Sequence, residues 1–251
     1  MTAPGCGITL GLGAAAAVGW PAVEDCRGVV IASFDQAAYV RLPDGVIALT
    51  GVCVPPGPTY ITGAVDPRSL RTSSAFVARA GWLDGATIWE GRLPLRPPDD
   101  DGVLGPLAML AARSPLLRPP LVRRWRCATS HQDLRSVCRI LGGLGPGLTP
   151  SGDDALAGIL LAERLRHPDD EARLVQAAGG VATHDISRAF LHWAARGQSI
   201  EPVHRLLGGD GSATGALEEY GHSSGADLAL GLWWGLTGED PPATGEVLAP
   251  G

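Results

Sequence analysis

Gly142-Gly143-Leu144-Gly145-Pro146-Gly147-Leu148-Thr149-Pro150-Ser151-Gly152-Asp153-Asp154 is the stretch on which the reading of the fold turns. It runs into an apolar-striped segment, and the spacing predicts a helix over 151–166. A glycine-rich loop entering a helix leaves backbone N–H groups unpaired at the positive helix end, which suits a phosphate or carboxylate. Thr149 and Ser151 add hydroxyl donors. A second reading needs no ligand, because Ser151 is a good N-cap and Asp153 and Asp154 favour the first turn of any helix. Capping leaves unexplained the four glycines and two prolines in the nine residues before Ser151, each glycine of which costs backbone entropy. If Asp153 or Asp154 faces the loop mouth, it could hold Mg2+ through water or act as a base; no other cofactor is identified and no metal ligand set is assigned.

Outward from this loop the C-terminal half keeps helical periods, at residues 104–112, 131–141, 169–196, 200–207, 214–220 and 224–236. Gly179-Gly180 is expected to split or kink the long segment, and the last helix, apolar on all sides, to form the centre of an all-helical lobe. Residues 28–91 instead alternate short β-branched runs with turn residues, which is strand patterning. Pro-Asp-Gly at 43–45 and Pro-Pro-Gly-Pro at 55–58 suggest hairpins in a mainly antiparallel sheet or small barrel, and proline-rich Leu93 to Asp101 reads as a linker. The expected class is therefore α+β, with a β-rich lobe over 1–101 and a helical lobe over 102–251 that carries the glycine-rich motif.

A second junction, Gly221-His222-Ser223-Ser224-Gly225-Ala226-Asp227, repeats the first in miniature. Both contain Ser-Gly-x-Asp-x-x-x-Gly, through Gly158 in one and Gly231 in the other. Two helix starts of the same design could converge on one anionic ligand, or the repeat could be N-capping combined with small-residue helix packing. Between them, Thr183-His184-Asp185-Ile186-Ser187-Arg188 interrupts a buried pattern; spacing puts Thr183 and Ser187 on one helical face and His184 and Arg188 on the next, either lining the site or facing solvent. His222 is the acid/base candidate because it sits in a junction loop, whereas His131, His167, His192 and His204 read as surface or cap residues.

The 251 residues are 45% apolar and 18% charged, with 35 glycines and 21 prolines, a profile of ordered turns around a sizeable core. All 20 basic side chains are arginines, so a P-loop lysine, a Schiff-base lysine and the protein-kinase lysine are excluded. With a net charge of -6 and a single proline-broken arginine cluster at 113–126, nucleic acid is not an expected partner. Five cysteines without a CxxC pair read as reduced thiols in a cytoplasm. The apolar run from Ile8 to Trp20 has no basic residue before it and is too short and glycine-broken to span a membrane; neither a signal peptide nor a membrane partner is expected.

The three segments GLGPGLTPSGDD, THDIS and GHSSGAD, in that order, resemble the AllH-like family, most strongly over 139–236. The resemblance implies one subunit of a carbamoyltransferase that interconverts oxalurate plus phosphate with oxamate plus carbamoyl phosphate, and therefore companion subunits. Carried onto this sequence it implies substrate-binding roles for Gly145, Gly147, Thr149, Ser151, Gly152, Thr183, Ser187, Ser223, Ser224, Gly225 and Asp227, with Asp153, Asp154, Arg188 and His222 as catalytic candidates. His184-Asp185 stands where the family pattern has bulkier apolar or hydroxyl residues. The expected function is a transferase or transferase subunit for a small anionic metabolite bearing a carbamoyl or carboxylate group. The alternatives are a noncatalytic metabolite-binding subunit and a stand-alone lyase or cyclase of secondary metabolism.

Overall fold

The structure, a computed structural model, describes residues 7–21, 24–131 and 133–242. The chain divides into two compact units, with the break between Gly91 and Arg92. The first carries a seven-stranded sheet and the second is built from helices, so the class is α+β.

In the first unit the strands are β1 (Thr9–Gly11), β2 (Cys26–Ser33), β3 (Ala37–Leu42), β4 (Gly45–Thr50), β5 (Tyr60–Thr62), β6 (Ala75–Ala78) and β7 (Thr87–Trp89), in the order β6-β2-β3-β4-β5-β1-β7. The sheet is open and mixed rather than a barrel. Four of its pairings are antiparallel, while β4–β5 and β1–β7 are parallel. Pro43-Asp44 closes a β3–β4 hairpin in register Leu42↔Gly45, as the turn chemistry predicts. Pro-Pro-Gly-Pro does not make a second hairpin: the stiff segment between Thr50 and Tyr60 carries the chain back to the same end of the sheet, where β5 lies parallel to β4. A short helix, α1 (Leu12–Ala17), packs on β4, and Leu10, Val30, Val40, Ile47, Leu49, Ile61 and Phe76 form the core. The strands β1 and β6 and the helix α1 escape sequence reading because each is too short to show a period.

The second unit contains α2 (Asp101–Ala111), α3 (Val122–Thr129), α4 (Leu134–Leu141), α5 (Ser151–Arg166), α6 (Glu171–Gly179), α7 (Asp185–Ala194), α8 (Glu201–Leu207), α9 (Ala213–Glu218) and α10 (Ser224–Thr237). Gly179-Gly180 separates α6 from α7, as expected from their helix cost. Of the arginine cluster, Arg123, Arg124 and Arg126 lie on the exposed side of α3, whose Trp125 is buried and donates Nε1–H to Asp240 Oδ1 at 2.7 Å. Among the described residues no helix is long and apolar enough to cross a membrane.

The centre of this unit is the pair α5 and α10. Thr149 and Ser224 meet where both helices begin, Gly231 lies against Ala155 further along, and Arg166 at the end of α5 donates to Gly235 O at 3.0 Å. The two helices therefore run side by side in the same direction. Their contact is backbone to backbone: a Cβ on Gly231 would lie 1.9 Å from Ala155 O, and one on Gly158 2.3 Å from Leu228 O. The final glycine of each Ser-Gly-x-Asp-x-x-x-Gly repeat is thus a packing requirement. Every residue of α10 from Asp227 to Trp233 is buried, so the helix is the apolar centre that its sequence suggests.

Candidate functional site

Parallel packing of α5 and α10 places two positive helix ends together, and the sequence meets them with carboxyl groups in the first turn of each. The glycine-rich loop delivers α5 to this place. Gly143, Gly145 and Gly147 adopt φ of 68°, 115° and 94°, values that side chains other than glycine rarely tolerate. The loop is closed by its own hydrogen bonds: Gly152 N–H donates to Leu144 O at 2.8 Å, and Asp153 and Asp154 N–H donate to Pro150 O at 2.8 and 3.1 Å. These three amides are committed to the chain and are not offered to an anion. Pro150 takes the N-cap position with no side-chain cap bond, and Ser151 is instead the buried first residue of the helix, so N-capping by Ser151 is not its role here.

The two aspartates of α5 behave differently. Asp153, only 2% exposed, accepts Gly143 N–H on Oδ1 at 2.8 Å and the Thr183 hydroxyl on Oδ2. It ties the loop and the approach to α7 onto the start of α5. Thr183 lies before α7 rather than on it, and its carbonyl accepts Arg188 Nη2–H at 2.9 Å. Ser187, on the buried side of α7, donates to Leu148 O at 3.1 Å. Thr183 and Ser187 thus brace the loop, and Arg188, also 3.7 Å from Asp185, is exposed on the outer side of Thr183.

Asp154 and Asp227 occupy equivalent places, the fourth residue of each helix. Between the helix starts, Thr149 Oγ1 and Ser224 Oγ are 3.2 Å apart, and both hydroxyls lie close to the Asp154 carboxyl. Burial pushes Asp154 well above the usual carboxylate range; the Ser224 hydroxyl opposes this, the charges of Asp227 and Asp153 reinforce it, and Thr149 opposes it more weakly. Asp227 is fully buried, at 0% exposure, and accepts the Ser114 hydroxyl on Oδ1. Burial also raises Asp227, against the stabilising hydroxyls of Ser114, Ser151 and Ser223. Yet Asp154 Oδ2 and Asp227 Oδ2 are both buried without a hydrogen-bond partner. The neighbouring hydroxyls approach closely enough to favour the charge but complete no bond of normal geometry to these two atoms. Among the described residues no arginine pairs with Asp153, Asp154 or Asp227, and no three His, Cys, Asp or Glu side chains gather as a metal site.

The remaining candidates divide cleanly. Ser151, Ser223 and Ser224 join the carboxyl pair, while Gly152 and Gly225 pack, since a Cβ would lie 2.0 Å from Leu141 O and 1.7 Å from Leu217 O. Gly145 brings the loop against Ser151, and Gly147 is exposed at its turn. His222 is exposed in the turn before α10 and makes no hydrogen bond to the carboxyl pair among the described residues. His204, read as a surface or cap residue, is buried and takes a backbone N–H just before α8: Nε2 accepts Ser199 N–H at 3.0 Å, so Nδ1 carries the proton and donates to Arg92 O at 3.2 Å. Ser114 was not legible as part of the cluster. Its signal is a lone hydroxyl before a proline in an otherwise apolar run, which reads as the cap of a short turn; the Oγ does accept Leu116 N–H at 3.1 Å while donating to Asp227.

Residues 141–236 match the family described as oxamate carbamoyltransferase subunit AllH. The matched span runs from the last residue of α4 to the last turn of α10 and includes both Ser-Gly junctions and the Thr183–Arg188 segment. No solved structure matches the chain.

Proposed function

We propose that the chain is a subunit of a carbamoyltransferase and that its second unit handles a small metabolite bearing a carbamoyl and a carboxylate group at the joined starts of α5 and α10. One observation carries the reading: the part of the chain that matches the oxamate carbamoyltransferase subunit family is the part that builds the Asp154–Asp227 pair with its unpartnered oxygens. Burying such atoms costs free energy unless something completes their hydrogen bonds, and a ligand group is what a transferase subunit would bring. Carbamoyl transfer between oxamate and carbamoyl phosphate, giving oxalurate and phosphate, needs a group that recognises the carbamoyl unit and one that holds the acceptor nitrogen. Both demands suit this pair. The test is reconstitution of the chain with the companion subunits of such an enzyme, following phosphate release from carbamoyl phosphate and oxamate. Activity that requires this chain supports the reading; full activity without it overturns it.

A noncatalytic metabolite-binding subunit is favoured by the exposure of His222 and Arg188, since these are the residues suited to proton transfer and to polarising a carbonyl. Under that reading the companion subunits keep basal turnover and the chain changes only its dependence on metabolite concentration. An Mg2+ requirement belongs to the same reconstitution, read as activity with and without a chelator.

A further inference from the structure

Although two positive helix ends meet here, the side chains and amides at the carboxyl pair are not those of an anion cradle. The Gly152, Asp153 and Asp154 amides of α5 are committed, Asp154 and Asp227 lie close without an arginine among the described residues, and the two open valences belong to carboxyl oxygens. A phosphate or free carboxylate placed there would face like charge. What fits is a group with a polar hydrogen at one atom and a carbonyl oxygen at its neighbour.

We propose that Asp154 and Asp227 read the edge of a carbamoyl or primary amide group, Asp227 Oδ2 accepting its N–H and the Asp154 carboxylic acid donating to its carbonyl oxygen. This rests on the proposed carbamoyl chemistry and assigns to these two side chains the nitrogen end of the ligand rather than its anionic end. Three observations support it. Asp227 is fully buried and has one oxygen occupied by Ser114 and the other open, so it has room for one donor. Asp154 has its own open oxygen, and burial together with the neighbouring carboxyls favours its neutral form, which supplies the O–H. The two stand at equivalent places on parallel helices held start to start by the Thr149–Ser224 contact, and Thr149 and Ser224, only partly buried, are the rim of the cluster nearest solvent. Asp153 takes no part, since both its oxygens are occupied by Gly143 and Thr183.

The asymmetry of donor and acceptor makes the proposal testable with matched ligands and matched variants. Calorimetric titration of the full chain with oxamate, with oxalurate and with oxalate compares ligands that carry the amide edge with one that lacks it. Oxamate or oxalurate should bind at least about 10-fold more tightly than oxalate, as expected for a hydrogen bond to a charged acceptor. Asp154→Asn keeps a neutral donor and should retain binding within about threefold, whereas Asp154→Ala should lose about 10-fold or more. Asp227→Asn puts a donor opposite a donor and should lose about 10- to 100-fold, with circular dichroism confirming that the variant is folded. The ligand comparison on the unmodified chain stands even if a variant fails to fold. Oxalate binding as tightly as oxamate, Asp154→Asn losing as much as Asp227→Asn, or no binding of either amide ligand would overturn the proposal. Amide binding through the pair without any part in transfer would leave it standing and sink the proposed function; transfer that survives Asp227→Asn with unchanged KM for oxamate would do the reverse.

Discussion

Thr149 Oγ1 and Ser224 Oγ stand 3.2 Å apart and join the start of α5 to the start of α10. That contact exists only because the two helices approach at backbone distance along their length, and Gly231 against Ala155 sets the approach. Gly231→Ala places a methyl group 1.9 Å from Ala155 O, so the helices must separate. The expected cost is about 1–3 kcal/mol in urea unfolding, with loss of oxamate binding beyond what stability explains, because the rim hydroxyls part as well. A variant as stable as the parent would show that the helices do not pack this way.

Asp153 and Asp154 are adjacent but should respond in opposite directions. Asp153→Ala strands the Gly143 and Thr183 donors and should destabilise by about 2–3 kcal/mol at neutral pH. Asp154 is held above its ordinary pKa. Between about pH 3.9, its unfolded value, and the raised folded value, the native state binds more protons than the unfolded chain, so its contribution to stability falls as pH rises. Asp154→Asn removes that titration and should be more stable than the parent at pH 7 to 8, with a flatter pH dependence. Equal melting temperatures for parent and variant across that range would argue that Asp154 is not buried in this way.

Cysteine reactivity reports the packing of α4 independently. Cys53 and Cys127 are exposed, whereas Cys138 is buried with its thiol pushed up to about 12, mainly by burial. Thiolate is the reactive form, so peptide mapping after brief alkylation of the native protein should find Cys53 and Cys127 modified and Cys138 untouched until urea is added. Early labelling of Cys138 would place α4 differently. Cys6 lies outside the described residues.

Most of the helical half was legible because long elements repeat their period several times: α5 matches its predicted span and α10 exceeds its span by one residue, whereas the short α3, after Pro119-Pro120, was not read as a helix. The sheet was legible in content and in its β3–β4 hairpin, but not in its parallel pairings. Nothing in Pro55 to Pro58 says that Tyr60 will run parallel to Ala48 rather than back along it, because strand direction is decided by what the connection packs on. At the site, the repeat of Ser-Gly-x-Asp-x-x-x-Gly located both helix starts, but pattern alone left a shared ligand site and small-residue packing as alternatives for all of its residues together. The structure separates them: Gly158 and Gly231 pack, Asp153 braces the loop, and Asp154 and Asp227 keep open oxygens. Ser114 meets Asp227 across more than a hundred residues of chain, a distance over which local pattern carries no information.

His204 provides the remaining expectation. Its Nε2 accepts from Ser199 N–H and its Nδ1 donates to Arg92 O, so the neutral ring ties the segment after Gly91 to the start of α8. Burial, the largest influence, lowers its pKa, while the Nδ1–H bond to Arg92 O opposes the shift. A depressed histidine contributes fully above its unfolded value of about 6.5. Below that the unfolded chain takes up the proton first, and stability falls as pH drops toward the folded value. Protonation would also set a second ring N–H against the Ser199 N–H. Urea unfolding at about pH 5.5 and 7.5 should therefore show the parent losing stability at the lower pH, and His204→Gln, which cannot titrate, losing less between the two. The variant should be weaker than the parent at pH 7.5 by about 1 kcal/mol, the scale of an imperfectly replaced buried hydrogen bond. An identical pH dependence in parent and variant would mean that His204 does not hold this position as a neutral ring.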